Sequence, residues 1–190
     1  MKKIELVYNE ILEKFENNRN KLTSQAEIAR TLSISLSTVN HALAPLKRMG
    51  AIRIKKNGFE IVNAKKILYL WASIRNLEKD IIFKTRVEKT VTDIEKNMPS
   101  DILFGAYSAF KYKFKDAPAD YSEVYIYADN LNEIKKRFNS NNDRPNLFVL
   151  KKEIKKITLA LIFVDLWNLK EWYAKDFLNA LDIKIKEVYG

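Results

Sequence analysis

The stretch from Ser24 to Val62 constrains this chain more than any other. Ser24, with Glu27 three residues on, has the form of a capping box and opens a helix over about 25–31, with Ile28, Ala29 and Leu32 on its buried side. Leu32-Ser33-Ile34-Ser35 is a tight polar turn with one apolar anchor, Ile34. A second helix is predicted over about 36–49, its inner face drawn from Val39, Leu43, Leu46 and Met49, with Gly50 as its left-handed closing residue. Two strand-like pieces follow, Ala51–Ile54 and Phe59–Val62. Lys55-Lys56-Asn57-Gly58 lies between them, and Asn-Gly between β-formers is a strong hairpin signal. Ahead of this block, Ile4, Val7, Tyr8, Ile11, Leu12 and Phe15 form one apolar stripe of a helix over 3–17, with the Asn-rich segment 17–20 as its stop.

Charge concentrates in the same region. The chain carries 34 Lys+Arg against 24 Asp+Glu, a net of +10, and residues 21–62 hold seven cations against two anions. Such a balance favours a polyanion as partner. Outside the apolar stripe of the second helix lie Ser37, Thr38, Asn40, His41, Ala44, Lys47 and Arg48. A helix fits the major groove, where Ser and Asn can bond base edges and Lys and Arg can hold phosphates. The expected double-stranded DNA contacts are Ser35, Ser37, Thr38, Asn40, His41, Lys47 and Arg48, with Arg53, Lys55 and Lys56 from the hairpin. His41 is the single histidine and has no cysteine or second histidine to join it at a metal; it either touches a base or is an exposed helix residue. Pro45 lacks an amide and crowds the carbonyl of His41, which predicts a kink or an early end to the regular helix.

LTSQAEIARTLSISLSTVNHALAPLKRMGAIRIKKNGFEIV resembles the winged helix-turn-helix family of prokaryotic regulators. The likeness is carried by Ser24 with the QAEIA segment, by Ser35 and Ser37-Thr38-Val39, and by Leu46 to Ile52. It implies sequence-specific binding of duplex DNA and a role in transcription regulation.

Residues 64–96 read as mostly helical, with Ile67, Leu70, Trp71, Ile74 and Leu77 in one stripe and Ile81-Ile82-Phe83 as an interruption; Val87, Val91 and Ile94 mark a second helical stretch. The stripe needs a cover, either within the chain or on a second copy, and so motivates the expectation of a homodimer. After Pro99 strands and helices alternate. Strands are predicted at 102–104, 123–127, 147–150 and, as an apolar run, Thr158–Val164; helices run from 105 through Phe110, over 131–138 and over 171–181; residues 139–143 form a polar loop. This predicts a small α/β domain around a mixed sheet.

DILFGAYSAFKYKF, YSEVYIYAD, NLFVL and IFVDLWNLKEWYAKDFLNAL resemble the C-terminal domain of archaeal winged-helix regulators, related to AbiEi-type antitoxins and similar to a reduced nucleotidyltransferase fold. That fold needs a Gly-Ser turn and two carboxylates one residue apart to hold a pair of Mg²⁺ ions. The turn here is Gly105-Ala106, and Tyr125 stands where the second carboxylate belongs after Glu123, with Asp165 as an unplaced acid. The resemblance therefore implies no enzyme and no cofactor. Gly105, Ser108, Lys111 and Glu123 mark a candidate cleft for a small ligand or a partner protein, although Gly105 could simply permit a tight turn. Trp167, Trp172 and Tyr173 are expected to be mostly core packing.

The whole is an expected α+β chain: a winged helix over 1–63, a helical connector over 64–97 and the α/β domain over 98–190. The leading expectation is a DNA-binding regulator; an antitoxin repressing its own operon and a nucleotidyltransferase are the alternatives. Absence of cysteine excludes disulfides and thiolate metal sites. The most apolar run, Ile157 to Leu166, is far short of the roughly 20 residues that span a bilayer, and the N-terminal helix lacks the apolar core of a signal peptide, so a cytoplasmic location is expected.

Overall fold

The computed structural model describes residues 1–18, 22–139 and 143–190. The expected helix stop at 17–20 and the polar loop at 139–143 lie partly outside the described residues. The chain forms two compact units. One comprises Met1–Arg75, Thr158–Val164 and Leu181–Gly190; the other comprises Asn76–Ile157 and Asp165–Ala180. Among the described residues no helix is long and apolar enough to cross a membrane.

In the first unit the elements run α1 (Lys3–Asn17), α2 (Gln25–Thr31), α3 (Leu36–Arg48), β1 (Ile52–Lys55), β2 (Gly58–Ile61) and α4 (Ala64–Ile74). The α1 stripe buries Val7, Tyr8, Ile11 and Leu12 and packs on both α3 and α4. Of the expected stripe, Ile67 and Trp71 are buried where α4 packs on α1, and Leu77 is buried beyond the helix, while Leu70 and Ile74 are half-buried; Leu68 and Ala72 complete the buried face. Part of the apolar face that motivated a dimer is therefore used within the unit. A buried polar network ties the two helices. Glu5 accepts from Trp71 Nε1 at 3.2 Å and pairs with the Arg75 guanidinium at 3.2 Å, and its other oxygen takes the Lys2 amide at 3.2 Å.

Ser24 occupies the N-cap of α2, but its hydroxyl makes no capping bond, and the Glu27 carboxylate lies 2.6 Å from Lys14 Nζ, drawn by an ammonium on α1. Pro45 does not end α3, which continues through Arg48, and the Tyr8 hydroxyl donates to the Ala42 carbonyl in the preceding turn at 3.1 Å. Gly50 closes α3 with φ +67°, as expected. The hairpin is one residue tighter than predicted at each end: Lys55 pairs with Gly58, leaving Lys56-Asn57 as the loop. Thr23 adds an isolated antiparallel bridge to the hairpin, exchanging two 2.9 Å backbone bonds with Phe59.

The segment Thr158–Val164 is not a strand. It opens α8 (Leu159–Trp167), whose residues Leu159–Leu166 are all buried. An apolar run buried on every side has no helical period to display, and so it reads equally well as a core strand. The Thr158 hydroxyl accepts the Leu161 amide, capping the helix, and donates to Asn9 Oδ1 of α1 at 2.8 Å. The end of α9 (Ala174–Tyr189) also reaches α1: Tyr189 stacks on Phe15 and its hydroxyl donates to Glu16. The first unit is thus completed from the far end of the chain.

The second unit is built on a four-stranded sheet ordered β3-β6-β5-β4. Its strands are β3 (Ile81–Thr85), β4 (Leu103–Gly105), β5 (Val124–Ala128) and β6 (Leu147–Lys151); β5 and β6 run parallel and the other pairs antiparallel. The stretch 64–97, expected as a helical connector, is helical only in part. Its β-branched patch Ile81-Ile82-Phe83 pairs with β6, because a partner strand rewards β-branched residues in extended form. One sheet face packs on α5 (Val91–Lys96) and α7 (Leu131–Arg137), with Ile94, Met98, Ile134 and Phe138 against Val124, Ile126, Leu147 and Val149. Tyr125 and Tyr127 alternate with these residues on β5; Tyr125 meets Tyr107 of α6 (Ala106–Phe114), and the Tyr127 hydroxyl donates to the buried Asp165 at 2.5 Å. The fold is mixed α+β, with helices on a mixed sheet.

Candidate nucleic-acid interface

The outward face of α3 is set by its inward one. Val39, Ala42, Leu43 and Leu46 are buried, which leaves Ser37, Asn40, His41, Ala44, Lys47 and Arg48 exposed. Ser35 is the N-cap: its Oγ accepts the Thr38 amide at 3.1 Å and lies 2.8 Å from the Thr38 Oγ1. Both hydroxyls are therefore occupied in holding the helix start, and Thr38 is half-buried. Of the residues expected to read bases, Ser37, Asn40 and His41 keep exposed polar groups. At the other end the Met49 carbonyl accepts the Lys66 ammonium at 2.7 Å, a C-terminal contact that the sequence reading missed.

All the expected hairpin cations are exposed. Two of them are partly neutralised. Arg53 donates to Glu60 at 2.7 Å across the strands, and Lys55 lies 3.4 Å from the same carboxylate. The Arg53–Glu60 register pair was not foreseen, because it depends on the exact hairpin pairing. Lys56 stands in the two-residue loop. Beside α3, Ile4 and Tyr8 of α1 and Pro45 line a groove of about 700 Å³ with His41, Lys47 and Arg48. The arrangement is chemically that of a surface for a polyanion: a helix tip with a hydroxyl and an amide, cations in the last helical turn, and a cationic hairpin.

Residues 10–53 match a family model described as winged helix-turn-helix DNA-binding. The matched span holds most of α1, all of α2 and α3, and the start of the wing hairpin. The N-terminal region of this chain is accordingly a winged helix-turn-helix. No curated protein and no solved structure matches the chain.

The four residues marked for a C-terminal ligand cleft are placed differently from one another. Glu123 lines a depression of about 420 Å³ with Arg86, Arg144, Glu171 and the exposed Trp172. Gly105, Ser108 and Lys111 do not line it. Ser108 is fully buried in α6, and Lys111 pairs with the buried Glu95 at 2.6 Å. Gly105 lets the Tyr127 ring approach: a Cβ there would lie 3.0 Å from that ring. Burial pushes the Glu123 carboxyl above the usual carboxylate range and the nearby Glu171 adds to this, while Arg144 opposes it. The Tyr173 hydroxyl donates to Glu123. Tyr125, in the place of a second carboxylate, stacks on Phe148 at 4.7 Å. Among the described residues no group of three or more acidic, His or Cys side chains is placed to hold a metal ion.

Replacing Glu60 with Gln is expected to tighten binding of any duplex about threefold at low salt, because it releases two wing cations toward phosphates. Fluorescence anisotropy on an arbitrary duplex measures this. Weaker binding would show that Glu60 orients Arg53 rather than screening it.

Proposed function

We propose that this chain is a sequence-specific double-stranded DNA-binding transcriptional regulator. The observation that carries the reading is the outward placement of Ser37, Asn40, Lys47 and Arg48 on one helix, next to a hairpin bearing Arg53, Lys55 and Lys56. Asn40 is the base reader in this account, and the lysines and arginines hold phosphates. The second unit serves ligand or partner sensing and carries no nucleotidyl transfer; the reasons are the Gly105-Ala106 turn and the single carboxylate, Glu123, on the approach to β5.

The test is selection of duplexes from a random pool by the full chain, repeated with two variants. The wild type should enrich one sequence. Changing both Lys55 and Lys56 to Ala should weaken all duplexes alike, about tenfold or more at moderate salt, whereas Asn40→Ala should relax preference at one base pair. Equal losses from both variants, or no enrichment by the wild type, would contradict the assignment.

A further inference from the structure

The tip of α3 carries a residue that no hydrogen-bonding reading accounts for. Leu36, the first residue of the helix, is 48% exposed. It stands between Ser35, whose hydroxyl is committed to the cap, and the exposed Ser37. Leu36 and Asn40 are four residues apart and so lie one above the other on the helix surface. The leading end of the recognition helix therefore offers an isobutyl group and, one turn behind, a carboxamide. In the major groove only one base edge presents an apolar feature, the C5-methyl of thymine, and a carboxamide is matched to the N6 and N7 of adenine.

We infer that Leu36 is a specificity-determining residue that reads the C5-methyl of a thymine in the target duplex, with Asn40 on a neighbouring adenine. The inference rests on the proposed DNA-binding function and goes beyond it by stating the base chemistry of the target. Leu36 contributes no hydrogen bond; its effect is to remove one methyl group from water.

Uracil lacks that methyl and still pairs with adenine, so it isolates the contact. The duplex enriched from a random pool is resynthesised with each thymine replaced in turn by uracil, and its affinity is measured for the wild type, Leu36→Ala and Leu36→Met. The expected result is one position where uracil costs the wild type about fourfold, the worth of one methyl group taken out of water. Leu36→Met should retain most of that penalty and Leu36→Ala should show none. No uracil-sensitive position, or the same penalty in Leu36→Ala, overturns the inference while leaving DNA binding intact. Failure to enrich any sequence removes the underlying reading, and this inference with it.

Discussion

Replacing Glu5 with Ala is expected to destabilise the protein by about 3–5 kcal/mol, the usual cost of removing one partner from a buried ion pair. Both side chains are essentially out of water, at 0% exposure for Arg75 and 2% for Glu5. The substitution leaves the guanidinium without its carboxylate, and the Trp71 indole and Lys2 amide lose their acceptor as well. Bulk water does not reach the pair, and the site sits where α1 packs on α4. Replacing the pair together, Glu5→Leu with Arg75→Met, should recover most of the loss, since well-packed apolar groups avoid the desolvation cost. Chemical denaturation reads both outcomes as midpoint shifts at constant slope. A Glu5→Ala loss below 1 kcal/mol would show that the network is not needed to join α1 to α4. Because α1 also supports α3, DNA affinity near the melting range should fall with it.

The second large effect belongs to Gly58. It sits at φ +143°, and a Cβ there would lie 2.3 Å from the Thr23 carbonyl oxygen and 2.9 Å from its carbon. That carbonyl accepts the Phe59 amide, so an added methyl group pushes apart the two segments that pairing holds together. Gly58→Ala combines backbone strain with overpacking against main chain, and should cost about 2–4 kcal/mol. Gly50 provides the contrast: φ is +67° and no atom lies within 4 Å of a Cβ. Gly50→Ala should therefore cost only about 1 kcal/mol, the left-handed penalty alone. Thermal melts of the two variants test the ranking, and equal losses would refute the steric argument at Thr23.

The contrast between these glycines marks how far the sequence could be read. Gly50 was legible because a left-handed residue after an amphipathic helix is a local signal. Gly58 was legible as a hairpin residue, but its closeness to Thr23 depends on a strand contact 35 residues away. The same division holds elsewhere. The helices over 3–17 and 36–48 and the wing follow from periodicity and turn chemistry. Thr158–Leu166 carries no period, and its partner Asn9 lies 149 residues from Thr158, so neither its helical state nor its place beside α1 could be inferred locally. At the interface, sorting α3 into apolar-inside and polar-outside found Asn40, Lys47 and Arg48. It passed over Leu36, an apolar residue left outside, and Glu60, whose effect appears only once Arg53 is known to face it.

In the proposed function α3 and the wing present one cationic surface to a duplex, and the dependence of duplex affinity on salt measures this. Five cations stand on that surface, Lys47, Arg48, Arg53, Lys55 and Lys56. Counterion release by five phosphate contacts predicts a log–log slope of about −4.5, reduced in magnitude by about 2 when Lys55 and Lys56 become Ala. A slope near zero, or one unmoved by those two substitutions, would show that these cations do not hold phosphates.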